Sequence, residues 1–93
     1  MRLTSHEITT IKHIIMELDP NARIYLFGSR VDNTKRGGDI DILVLSSALV
    51  LRDKLKIRFK LKEILGNRKI DIIITPKPVT HFTKVALKEG VLL

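Results

Sequence analysis

Apolar residues change their spacing several times along the chain, and each change marks an element. Ile8, Ile11, Ile14, Ile15 and Leu18 fall at the spacing of one helical face. Thr4 and Glu7 form a capping-box signature ahead of them, and Pro20 lies just beyond, so the pattern predicts a first helix from about Ser5 to Leu18. Arg23 to Phe27 is a short apolar run bounded by Pro20-Asn21 and Gly28, and it reads as a buried strand. Ile40 to Leu45 and Ile70 to Thr75 read the same way, the latter closed by Thr75-Pro76-Lys77-Pro78. Between the first two strands, Gly28 to Gly38 is polar and glycine-bearing, a loop with room for one helical turn after Ser29. Thr80 to Glu89 predicts a last helix with Gly90 at its C-terminal cap.

The stretch from Leu49 to Leu65 carries two conflicting signals. Leu55, Ile57, Phe59 and Leu61 alternate with Lys54, Lys56, Arg58, Lys60 and Lys62, which is strand periodicity. Its length exceeds that of a typical strand, and it ends at Gly66-Asn67, a helix stop, so a helix is expected. On a helical wheel Val50, Ile57, Leu61, Ile64 and Leu65 share the face assigned to the core, with Lys54 falling among them. Leu51, Leu55 and Phe59 recur every four residues off that face, as a partner surface or as a cover for the sheet or another helix of the same domain. A helix here also supplies the crossover that two parallel strands require. The expected fold is α/β (α+β-like), in the order helix-strand-strand-helix-strand-helix. Its helices pack on a three-stranded mixed sheet.

A length of 93 residues makes one domain, 1–93, the natural expectation. The chain has no cysteine, which removes disulfides and thiolate metal sites and fits a reducing interior. With neither a membrane-length apolar run nor a signal-peptide pattern at Met1-Arg2-Leu3-Thr4, a cytoplasmic location is expected. The formal net charge of +7 favours polyanionic company, whether nucleotide, nucleic acid or an acidic protein, or else forms a solvated basic surface.

The carboxylates narrow that choice. Asp39 and Asp41 flank Ile40 at the start of the second strand, so both project to one face while Ile40 enters the core. Asp71 opens the third strand in the same way. Two parallel strands joined by a helical crossover begin on the same sheet edge, which places Asp71 beside the pair. Carboxylates about 5 Å apart repel by roughly 3 kcal/mol per pair at an effective dielectric of about 20. A divalent cation, with magnesium suited to carboxylate and phosphate oxygens, relieves that repulsion; a raised carboxylate pKa is the other relief. Gly28-Ser29 ends the first strand, where glycine permits close backbone approach and the following N–H groups can face an anion. Antiparallel neighbours would bring this bend to the edge that carries the acids. Anion donors beside metal-binding acids are what nucleotidyl or phosphoryl transfer requires.

Leu26-Phe27-Gly28-Ser29-Arg30, followed by Asp39-Ile40-Asp41-Ile42-Leu43-Val44, resembles the minimal nucleotidyltransferases of the DNA polymerase β superfamily. Their pattern is Gly-Ser, about nine to ten residues, then Asp-x-Asp, with a third acid on a later strand. The resemblance covers nearly the whole chain. It implies that Gly28 and Ser29 grip the triphosphate of ATP, that Asp39 and Asp41 hold two magnesium ions, and that Asp71 shares one metal and takes a proton from an acceptor hydroxyl. Where relatives often carry a basic residue this chain has Asp32, which leaves Arg30, Lys35 and Arg36 as loop cations able to meet phosphate. Many stand-alone members resemble antitoxins encoded beside a HEPN-domain ribonuclease. The resemblance therefore implies AMP transfer from ATP to a tyrosine of such a toxin, together with binding to it in a hetero-oligomer. Three other readings compete: a non-catalytic module that blocks its partner sterically, a transferase for a small molecule or an RNA end, and a basic nucleic-acid binder. His6, His13 and His81 lack metal-ligand spacing and read as surface or helix residues, and Tyr25 reads as strand packing.

Overall fold

Thr4 starts the first helix, α1 (Ser5–Leu18), by the reciprocal bonding its sequence predicts: Thr4 Oγ1 accepts from the Glu7 N–H at 3.1 Å, and Glu7 Oε1 accepts from the Thr4 N–H at 2.9 Å. The computed structural model describes residues 3–27, 40–66 and 69–93, apart from the side chain of Phe82. After α1 come β1 (Arg23–Phe27), β2 (Ile40–Leu45), α2 (Leu51–Leu65), β3 (Ile70–Thr75), α3 (His81–Glu89) and β4 (Val91–Leu92). The three long strands and two of the helices fall where the apolar spacing places them.

The sheet corrects the expectation of three strands. Among the described residues it has four, in the order β3-β2-β1-β4, with β2 and β3 parallel and the other two pairings antiparallel. The added strand is two exposed residues long, too short to leave a pattern. It exists because the chain turns back at Gly90, setting Val91 against Leu26 and Leu92 against Tyr25, and the Leu93 N–H then donates to the Ile24 carbonyl at 2.8 Å. Glycine is required there by space: a Cβ at position 90 would lie 2.6 Å from the Ala86 carbonyl oxygen and 3.1 Å from that of Leu26. Gly90→Ala is therefore expected to destabilise the chain by about 1–3 kcal/mol. Urea unfolding gives the energy, and amide exchange should show protection lost first where β4 meets Tyr25 and Leu26.

The helix over the ambiguous stretch is confirmed, with its start moved from Leu49 to Leu51. Ser46 Oγ accepts from the N–H groups of Ala48 and Leu49 at 3.1 and 3.2 Å, which holds this segment in a turn. Asp53 then accepts from the Val50 N–H at 2.9 Å and opens the helix. Ile57, Leu61 and Leu65 are buried and Lys54 is half-buried along the same stripe. Val50 and Ile64, assigned to that face from the wheel, are exposed instead. Val50 is the extended residue ahead of the helix, so wheel geometry does not govern it. Ile64 sits about 60° from the centre of the buried stripe.

Strand alternation divides the sheet into two faces. Even-numbered residues (Ile24, Leu26, Ile40, Ile42, Val44, Ile70 and Ile72) form one core with Ile11, Ile14 and Ile15 of α1 and Ile57, Leu61 and Leu65 of α2. Odd-numbered residues point the other way, where α3 lies across β1 and β2 and leaves Leu43 and Ala86 buried. The odd positions of β3, namely Asp71, Ile73 and Thr75, are only half-buried. Far from the start of β2, the buried Ser46 hydroxyl donates to Asp19 Oδ2 at 2.5 Å, while Asp19 Oδ1 accepts from the Asn21 N–H at 3.0 Å. This junction ties the end of α1 to the end of β2.

Candidate active site

Strand register brings the two described acids together. Parallel pairing sets Asp41 of β2 opposite Asp71 of β3, and antiparallel pairing sets Phe27 of β1 opposite Asp41. Phe27, Asp41 and Asp71 thus form a row across the odd-numbered face, at the end of the sheet where β2 and β3 begin. Adjacent strands run about 4.8 Å apart, so the two carboxylates are within reach of one cation. Both are half-buried. The residues on either side of each acid, Ile40 and Ile42 in one strand and Ile70 and Ile72 in the other, are buried in the core on the opposite face. Apolar burial therefore fixes the direction of the carboxylates.

Two hydrogen bonds fix the rim itself. The Ile40 N–H donates to the Lys69 carbonyl at 2.8 Å, joining the first residues of the two strands. Arg58 Nη2, reaching down from α2, donates to the Ile70 carbonyl at 3.2 Å, one residue before Asp71. The sequence pattern gives Arg58 only as one of several cations in an alternating run. Its positioning role comes from a contact twelve residues away, which no local spacing encodes.

The other residues expected at the site, Gly28, Ser29, Arg30, Lys35, Arg36 and Asp39, lie outside the described residues. The ends of that segment are placed, however. The chain leaves β1 at Phe27, directly across from Asp41, and re-enters the sheet at Ile40, next to Asp41. Both ends thus flank the acid row. Among the described residues no three His, Cys, Asp or Glu side chains gather as a metal-binding group, so Asp41 and Asp71 are the described part of the expected three-acid set. Their donor chemistry, carboxylate oxygens from two neighbouring strands, suits a hard divalent ion.

A family profile described as "Polymerase beta, Nucleotidyltransferase" matches residues 9–93. The chain belongs to this family. The match begins inside α1 and runs through β4, and the three helices and mixed four-stranded sheet of the described residues are consistent with the polymerase β nucleotidyltransferase fold. Polymerase β-type nucleotidyltransferases typically work with Mg2+ and nucleoside triphosphates, so membership suggests a transferase. No curated protein matches the chain. Among the described residues no helix is long and apolar enough to cross a membrane.

Proposed function

We propose that this polymerase β-type domain is a magnesium-dependent adenylyltransferase that moves AMP from ATP to a tyrosine hydroxyl of a HEPN-domain ribonuclease toxin, and so acts as its antitoxin. The observation that carries the transferase reading is the in-register pairing of Asp41 with Asp71 on the odd-numbered face of the sheet. In this reading Asp39, Asp41 and Asp71 hold the metal, Gly28 and Ser29 grip the triphosphate, and Arg30, Lys35 and Arg36 supply charge along the loop. Bound magnesium neutralises phosphate charge and polarises the reacting phosphorus. The tyrosine oxygen forms a bond to the α-phosphorus, the bond from that phosphorus to the β-phosphate bridging oxygen breaks, and pyrophosphate leaves. Asp71, on the outermost described strand at this side, accepts the hydroxyl proton.

A protein acceptor suits the architecture. Asp71 lies on an edge strand among the described residues, and in this reading a hydroxyl carried by another molecule approaches it from outside the sheet. The test is incubation of the chain with α-labelled ATP, magnesium and a HEPN-domain protein encoded by a neighbouring gene of the same genome. Label on a toxin tyrosine, together with loss of ribonuclease activity, is the expected result. Full neutralisation of the toxin by a chain carrying both Asp41→Asn and Asp71→Asn would favour steric blocking instead. Label on an RNA end or a small molecule would replace the acceptor and keep the chemistry.

A further inference from the structure

The outer flank of α2 carries an apolar ridge that the core does not use. Leu51, Leu55 and Phe59 follow one another every four residues and are 69%, 55% and 68% exposed. At 1.5 Å per residue the ridge is about 12 Å long, two helical turns. Its position follows from two contacts. Arg58, beside the ridge on the wheel, reaches the Ile70 carbonyl of β3. Leu51 shares a shallow hollow of about 250 Å³ with Leu49, Val50, Lys54 and Ile74. The ridge therefore runs along the β3 side of α2. That side of β3 is a sheet edge among the described residues. Since Lys69 and Thr75 turn their carbonyls to β2, accepting from the Ile40 and Ser46 N–H groups, parallel pairing turns the backbone groups of Ile70, Ile72 and Ile74 outward.

Charge selects the occupant. Within α2, Arg52, Lys54, Lys56, Arg58, Lys60 and Lys62 outnumber Asp53 and Glu63 by six to two. A second copy docking through this flank would bring two such cationic helices face to face. Nucleic acid would satisfy the cations and leave Leu51, Leu55 and Phe59 without a counterpart. We infer that the Leu51–Leu55–Phe59 flank docks an acidic amphipathic helix of a partner protein, whose apolar residues cover the ridge while its carboxylates meet Arg52, Arg58 and Lys62. Because Asp71 sits on the strand next to the ridge, a partner held there reaches the acid row around the β3 edge. The docking surface stands whether or not the chain transfers AMP; only its use in delivering an acceptor rests on the function proposed above.

The test places the photo-cross-linker p-benzoylphenylalanine at position 59 of the full chain in its native cells, with the exposed position 84 of α3 as control. The cross-linked segment is identified by mass spectrometry, synthesised as a peptide and titrated against the purified chain. The expected result is a net-negative segment with apolar residues at helical spacing, captured at position 59 well above the control. Its affinity should fall at least tenfold with Leu55→Glu or Phe59→Glu and stay the same with Asp71→Asn. Cross-linking to a second copy, to RNA or to a basic segment, or capture no greater than at position 84, overturns the proposal. Asp71→Asn separates the two readings: loss of transfer with unchanged docking leaves both in place, and unchanged transfer with docking intact removes only the assigned role of Asp71.

Discussion

Asp41→Asn and Asp71→Asn are each expected to lower nucleotidyl transfer by about a thousandfold or more, and the double replacement should cost little beyond either one. The reason is the shared row. In the proposed mechanism the two carboxylates, in register on neighbouring strands, hold one cation together, so removing either leaves the other without its partner in that task. The Asp71→Asn variant should fold about as well as the parent without magnesium, because a near-isosteric replacement at a half-buried position changes stability little. Magnesium should raise the melting temperature of the parent by mass action and leave that of the double variant nearly unchanged. Transfer measured with labelled ATP, alongside melting curves with and without magnesium, checks both parts. Parental transfer by Asp71→Asn would remove Asp71 from the machinery.

The second large effect concerns stability. Ile42 is fully buried in β2, which pairs on both sides and carries the central part of the core. Ile42→Ala should cost about 2–5 kcal/mol from lost burial and the cavity left behind. Stability for a chain of this size is about 5–14 kcal/mol, so that loss removes a large share of it. Phe59→Ala, at 68% exposure, should change stability by no more than about 0.5 kcal/mol. Urea titration of both variants checks the contrast. It also bears on the ridge: a large cost for Phe59→Ala would mean that its ring serves this domain's own packing, not a partner.

Apolar spacing revealed most of this fold because most elements bury one clear stripe. The strands Arg23–Phe27, Ile40–Leu45 and Ile70–Thr75 are bounded by turn residues and filled with Ile, Leu and Val, and the structure keeps those limits. Where the stripe was ambiguous, tertiary contacts decided. The lysine alternation in α2 mimics a strand, yet Ile57, Leu61 and Leu65 are the residues that meet the core. Val50 and Ile64 look like members of that stripe in sequence and are not, since one precedes the helix and the other points aside. The Asp19–Ser46 contact joins residues 27 apart and the Arg58–Ile70 contact crosses from helix to strand, so neither leaves a local signal. At the site, the meeting of Asp41 and Asp71 was legible because parallel strands linked by a helical crossover start at one edge. The Gly28–Asp39 part of the expected set lies outside the described residues, and its roles remain those implied by family resemblance.

The alternation Ile70-Asp71-Ile72 makes the pairing of β3 self-checking. Shifted by a single position against β2, the strand would thrust a charged group toward Ile57 and Leu61 and turn isoleucines out to water. Such a misthreaded chain would lose both its apolar interior and the pairing of Asp41 with Asp71. A chain that reaches the stable core therefore already carries these two carboxylates side by side.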